Sequence, residues 1–245
     1  MGDDVIARAV GRVARAIRYR SGRLVGRAAK AADIRFRLGS AETRFRRIVR
    51  DNHWLGDESP CGPGSSLAET EALRRRLPLL LEEIAARSML DIPCGDFHWM
   101  SRIELPLDRY IGADIVRELV ARNTELFGSE QRQFRRLDIR LDELPEVDVL
   151  LSRDCLDHFA LADAVQALTN LARSRPRFVL LTTYPGRRTN PDIRTGDWRP
   201  LNLALPPFSL PDPIEVIDEE SDKPGFSDKS IGLWTGADVR AAMGL

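Results

Sequence analysis

Acidic side chains close a series of apolar runs in this chain, and their positions are the first hint of chemistry. "SMLDIPCGDF" ends its apolar stretch at Asp91, "RYIGADI" at Asp114, "QFRRLDI" at Asp138, and "VDVLLSRD" at Arg153 and Asp154. One polar residue at a strand end marks only where the strand meets solvent. Acids at the ends of three successive strands point instead to a shared crevice, because ligands of open α/β sheets sit beyond the carboxyl ends of the strands, where strand order reverses. Asp114 follows Asp91 by 23 residues, close to the spacing of about 20 at which a carboxylate reaches ribose hydroxyls in dinucleotide folds. After the first acid, Pro93, Cys94 and Gly95 form a turn in which Gly95 lets a ligand approach the backbone, and Asp96 can cap a helix expected from Phe97. Beyond the fourth run comes His158. A histidine with a neighbouring carboxylate, here Asp157, can take a proton from a reacting hydroxyl; the competing reading is a surface or helix-capping residue. Asp154, with Asp157 next, is the candidate ligand for a hard cation such as Mg2+, which prefers oxygen donors; hydrogen bonding within the acidic pair is the alternative. His53 and His98 read as structural, and Cys155 as a small buried residue.

The ligand can be narrowed. A dinucleotide needs G-x-G-x-x-G to seat its pyrophosphate on a helix N-terminus, and that motif is absent, as is a P-loop. Asp91 and Asp96 beside the turn would repel a pyrophosphate. A phosphate-free ligand with a cationic centre fits better, a description that S-adenosylmethionine meets with its ammonium, sulfonium and ribose diol. Its expected contacts are Asp91, Pro93, Cys94 and Gly95 on the first turn. Asp114 with Ile115, Asp138 with Ile139, and Arg153 complete them at the next strand ends.

These residues need a sheet to position them. Five short apolar strands alternate with amphipathic segments such as "VRELVARNTELFG" and "ADAVQALTNLARS", which implies right-handed crossovers and a doubly wound, largely parallel sheet. "IEVIDEE" and "SIGLWTG" read as a terminal hairpin, giving seven strands. Upstream, "WLGDESPCGPGSS" is a Gly/Pro-rich loop, and Ser66 to Glu69 a capping box opening a helix that Pro78 either kinks or divides. Residues 185–212 are too rich in Pro, Gly and Asn for a helix and too long for an idle connector, so they read as a lid or binding loop. In and beside it, Tyr184, Asn190, Asp192, Trp198 and Arg199 offer rings, amides and charges suited to a polyhydroxylated acceptor; the alternative for Trp198 is pinning the loop to the domain.

The chain has 245 residues and a formal net charge of zero, yet residues 1–50 carry +10 and the remainder −10. Arginines alternating with Val10, Val13 and Ile17 read as a basic amphipathic helical arm over 1–50, ahead of a single domain over 51–245. The arm could pack on an acidic face of its own domain or of a twin subunit, lie on anionic lipid or nucleic acid, or remain an ordered-by-nothing tail. No apolar run is long enough to span a membrane and no signal-peptide core is present, so a cytoplasmic location is expected. The three cysteines form no CxxC pair, in keeping with a reducing compartment.

Several stretches carry a family resemblance: "GPGSSLAET", "LDIPCGDFHWM", "YIGADIV", "LSRDCLDHF", "TTYP", "GDWRPLNL" with "PPF", and "DKSIGLW". From about Trp54 onward the chain resembles a bacterial family of class I S-adenosylmethionine-dependent methyltransferases whose first motif reads D-x-P-C-G-D-F. The resemblance implies a Rossmann-like, seven-stranded fold with a reversed last strand. It also implies O-methylation of hydroxyls, with saccharides, including mannose-containing polysaccharides, among the acceptors. The alternatives are N- or phenol O-methylation of a small metabolite, and a nucleic-acid-associated methyltransferase using the basic arm. The last is disfavoured, because the catalytic domain is acidic and no stacking-aromatic module is visible. A homodimer joined through the arm is the expected assembly.

Overall fold

The central strands are apolar on both sides and therefore need cover on both sides. In the computed structural model, which describes residues 39–221 and 225–245, they get it. Strands β1 (Ser88–Asp91), β2 (Arg109–Asp114), β3 (Arg132–Arg136), β4 (Val149–Ser152), β5 (Phe178–Thr183), β6 (Glu215–Asp218) and β7 (Ser230–Thr235) form one sheet in the order β3-β2-β1-β4-β5-β7-β6. The first five are parallel, and β7 runs antiparallel to both of its neighbours. Strand order reverses between β1 and β4.

Alternate side chains feed two cores. Met89, Val149, Leu151 and Leu180 pack with α2 (Glu71–Glu83) through Leu73, Leu77 and Leu81. Leu90, Leu150, Val179 and Leu181 pack with α4 (Leu161–Arg173), whose Ala164, Ala167, Leu168, Leu171 and Ala172 fall on one face at helical spacing. Helix α3 (Arg117–Phe127) joins β2 to β3, and α5 (Gly236–Ala242) follows β7 behind a Thr235–Asp238 capping box. Pro78 lies inside a single α2. Ser66 Oγ accepts from the Glu69 amide (3.3 Å), in a turn that precedes the helix rather than opens it.

Two expectations change. No α-helix starts at Phe97. The connection 92–108 is a run of turns with one 3₁₀ turn, Met100–Arg102. The Phe97 ring is drawn into an aromatic cluster with Tyr110, Phe127 and Phe134 (centroids 5.1–5.4 Å), and its backbone sits at φ +59°, outside the helical region. Asp96 accordingly caps a turn, accepting from the His98 amide at 3.3 Å. The second change concerns the N-terminal boundary. Residues 1–38 of the expected arm lie outside the described residues, but the compact unit that holds the sheet begins at Ser40. Helix α1 (Ala41–Arg50), N-capped by Ser40, belongs to it: Ile48 is fully buried, Arg44 Nη1 donates to the Thr195 carbonyl (2.6 Å), and Phe45 packs edge-on against Phe159 (5.9 Å).

Candidate active site

The strand-order reversal opens a cavity of about 420 Å³ beyond the ends of β1, β2 and β4, within the size range of small-molecule pockets. Its floor is the turn after β1. Pro93, Cys94 and Gly95 line it, with Gly95 at φ +56°. A Cβ on Gly95 would stand 3.0 Å from Cys61 Sγ, so a larger residue would have to push that thiol aside as well as adopt the left-handed backbone. The turn is tied down from two sides: the Gly95 amide donates to Asp114 Oδ2 (3.1 Å), and buried Asn123 donates from Nδ2 to the Gly95 carbonyl (2.8 Å).

Three carboxylates around this turn accept hydrogen bonds from neutral donors. Asp91 Oδ2 accepts from the Tyr110 hydroxyl (2.5 Å), Asp114 from the Gly95 and Val116 amides, and Asp96 from the His98 amide. Burial pushes the Asp91 carboxyl up to about 7, against the Tyr110 hydrogen bond and the field of Arg153. Burial likewise raises Asp114 to about 6, against its backbone donors. Ile115 and Ile139 add apolar walls. Asp138 lines the same space, but both of its oxygens are held by Arg140 (3.0 and 2.7 Å), so its charge is already balanced.

At the end of β4, Arg153 and Asp154 meet two residues that the strand-end pattern does not single out. Arg153 donates to both oxygens of Glu219 (2.8 and 2.7 Å), to the Gly64 carbonyl (2.9 Å), and pairs with Asp154 (3.1 Å). Lys229 Nζ bridges Asp154 (2.7 Å) and Glu219 (3.0 Å). Two cations and two anions thus form a buried, neutral quartet. Arg153, an expected ligand contact, lines the cavity with Nε, Nη1 and Nη2 all engaged by protein partners. Burial disfavours the Asp154 charge, but the fields of Arg153 and Lys229 outweigh it and hold the carboxyl well below the usual carboxylate range. A divalent cation does not fit here. Asp154 Oδ2 already faces two cations, its Oδ1 is a lone buried acceptor, and among the described residues no group of three or more ligating side chains is assembled to complete a coordination shell.

His158 sits on a 3₁₀ turn, Leu156–His158, and its ring lines the cavity. Its Nδ1 lies 3.0 Å from the Asp197 carbonyl. A carbonyl can only accept, so Nδ1 carries the hydrogen and the neutral ring keeps its lone pair at Nε2. The carboxylate expected to orient His158 does something else: Asp157 Oδ2 accepts from Trp198 Nε1 (2.9 Å), and Asp157 is not part of the cavity lining. Burial raises the Asp157 carboxyl.

The loop 185–212 divides into wall and scaffold. Tyr184 and Trp198 line the cavity, edge to face at 6.2 Å, and Trp198 meets Phe226 the same way at 5.1 Å. Asn190, Asp192 and Arg199 do not reach it. Asn190 spends its amide on the Asn202 and Pro206 carbonyls. Asp192 caps α4 by accepting from the Leu161 amide (2.8 Å). Arg199 is buried, its guanidinium donating to the Leu156, Phe159 and Pro191 carbonyls (2.8–3.0 Å), and it clamps the turn that carries His158. Polar residues in a Pro-rich loop must first satisfy that loop's own backbone, and residue type alone does not reveal this.

The missed lining residues include Trp54, Cys61 and Gly64 from the loop before α2, Phe226 and Lys229 from the loop before β7, and Phe45 and Val49 of α1. Gly64 and Lys229 fall inside "GPGSSLAET" and "DKSIGLW", stretches that carry the family resemblance.

No family model matches the chain, and no curated protein matches its sequence. Solved structures share its fold. The N-methyltransferase NodS from Bradyrhizobium japonicum WM9 superposes with a TM-score of 0.53 at 13% identity, over 70% of this chain and 98% of that one. The methyltransferase domain of bacterial CtHen1-CN superposes with a TM-score of 0.51 at 12% identity, over 68% of this chain and 98% of that one. The chain therefore has the seven-stranded, Rossmann-like sheet found in methyltransferases.

Proposed function

We propose that the chain is an S-adenosylmethionine-dependent O-methyltransferase acting on a saccharide hydroxyl, with His158 as general base. The observation that carries this reading is one cavity holding both a carboxylate cluster hydrogen-bonded by neutral donors, Asp91, Asp96 and Asp114, and an imidazole whose free lone pair is at Nε2. The donor set fits the cofactor. Asp91 and the Gly95 turn would hold its cationic part, Asp114 has acceptor capacity left for a diol, and Ile115 and Ile139 flank a flat ring. When bound, S-adenosylmethionine supplies an activated methyl group on a good leaving sulfur. The chain's own part is alignment and proton removal: Nε2 of His158 accepts the proton of the acceptor hydroxyl. Tyr184, Trp198 and Phe226 give a ring wall suited to the C–H faces of a sugar, with mannose-containing polysaccharides the acceptor class that the sequence resemblance implies. The same reading places the enzyme in the cytoplasm, as a homodimer through the basic arm over 1–50; among the described residues no helix is long and apolar enough to cross a membrane.

Calorimetry with S-adenosylhomocysteine tests the cofactor, and the absence of heat at millimolar ligand would sink the proposal. In a saccharide panel, activity should survive EDTA. His158→Ala should lower kcat/KM at least about a hundredfold, the low end for general-base catalysis. A second reading, methylation of an amine, draws on Asp154, which lines the cavity and whose Oδ1 has no hydrogen-bond partner, so that it could accept from the N–H of a neutral amine. NodS is itself an N-methyltransferase. Under that reading His158→Ala costs little, because an amine needs no dedicated base.

A further inference from the structure

We infer that Trp54 is a positioning residue for His158, its indole face stabilising the imidazolium that forms when Nε2 takes a proton. The catalytic consequence rests on His158 being the base; the coupling between the two rings does not. The ring centroids are 4.4 Å apart with planes inclined by 33°, inside the distance at which a cation is attracted to an aromatic face. The indole is itself held in place. Phe45 of α1 packs on it at 6.4 Å, and a Cβ at Gly62 would stand 3.2 Å from Trp54 Cβ, so the loop closes on it at a glycine with φ +103°.

On its other edge the imidazole is fixed by the Asp197 carbonyl at Nδ1, while its own main-chain carbonyl accepts from the Gly196 amide (2.8 Å). A carbonyl orients the ring but brings no full negative charge, unlike the carboxylate of a catalytic triad. The proton passes from the acceptor oxygen to Nε2 and later to water, so the ring carries a full positive charge in between. The charged groups facing it are Asp154 and Asp157 from its own chain segment. Asp154 is already shared with Arg153 and Lys229, and Asp157 is bound by Trp198. From the packed segment 195–199 comes the Asp197 carbonyl, and from the loop before α2 the π face of Trp54. The indole face adds to the fields of Asp154 and Asp157 in favouring the protonated ring.

The test is an NMR titration of the three histidines in the full chain, with His158→Gln assigning the resonance. Three changes grade the π face: 5-fluorotryptophan incorporation, which keeps the shape, then Trp54→Phe, then Trp54→Leu. The His158 midpoint should fall stepwise, by about half a unit or more in the Leu variant, while His53 and His98 stay put. Fluorotryptophan incorporated into the Trp54→Phe chain should add no further shift. An unmoved His158 midpoint in the fluorinated and Phe proteins overturns the inference, and these two keep the test decisive if the Leu variant does not fold. A midpoint that moves in a protein without methyl transfer supports the coupling and counts against the proposed function alone.

Discussion

At the scale of single residues, Asp91 and Asp114 make ligand binding and stability depend on pH in opposite directions. Burial pushes Asp91 up to about 7 and Asp114 to about 6, above the unfolded value of about 3.9. The folded protein therefore binds these protons more tightly than the unfolded chain. The stabilisation this gives is complete below about pH 4 and is lost as pH rises through about 6 to 7. A bound cation favours the ionised carboxylates and works the other way. The empty protein should lose Tm between about pH 5 and pH 8 through these groups, whereas the rise in Tm on adding S-adenosylmethionine should be larger at pH 8. Scanning fluorimetry at both values checks this, and Asp91→Asn should flatten both slopes. An equal ligand-induced shift at the two pH values would count against a cationic ligand at this turn.

At the scale of elements, what was legible in the sequence follows from periodicity. β1, β4 and β5 are short, apolar and buried on both faces, and α4 repeats its apolar residues at helical spacing, so each declares itself within a few residues. Leu168, fully buried on α4 and outside the cavity lining, tests that packing. Leu168→Ala should cost about 3 kcal/mol in urea denaturation and leave ligand affinity unchanged. The strand-end acids were legible for the same reason: once a strand is placed, its carboxyl end is placed too. The segment after Asp91 was not, because the burial of Phe97 among rings from β2, α3 and β3 overrides the helix that its local sequence suggests. Nor were Trp54, Glu219 and Lys229. Trp54 and Lys229 reach the cavity, and Glu219 the ion pairs beside it, from irregular loops whose path is set by partners far along the chain, such as Arg153 for Glu219, 66 residues away. Asn190, Asp192 and Arg199 mislead in the opposite sense, since their polar groups satisfy backbone rather than ligand.

At the scale of the whole molecule, the division of charge between the first fifty residues and the rest does not coincide with the division of structure. Helix α1 carries part of the basic excess, yet Phe45 and Val49 line the cavity. Two truncations should therefore behave differently in calorimetry. Removing residues 1–39 should leave S-adenosylhomocysteine affinity intact, and should yield a monomer if residues 1–38 join two copies. Removing 1–50 should abolish binding, because it strips one wall of the site. Equal affinities would show that α1 is dispensable to the cavity.

The Arg44–Thr195 bond spans 151 residues, and that distance is also a delay. As the chain is made from its N-terminus, α1 emerges among the earliest parts of this unit, while the surfaces it docks on, the His158 turn and the 195–199 segment, are synthesised much later. For most of translation Phe45, Ile48 and Trp54 lack their later partners Phe159, Gly196 and His158, and long-range closure of this kind is slow and open to misassembly. The last event in the birth of this protein is then the closing of its own active site, and newly made chains should gain ligand binding only after the sheet is complete.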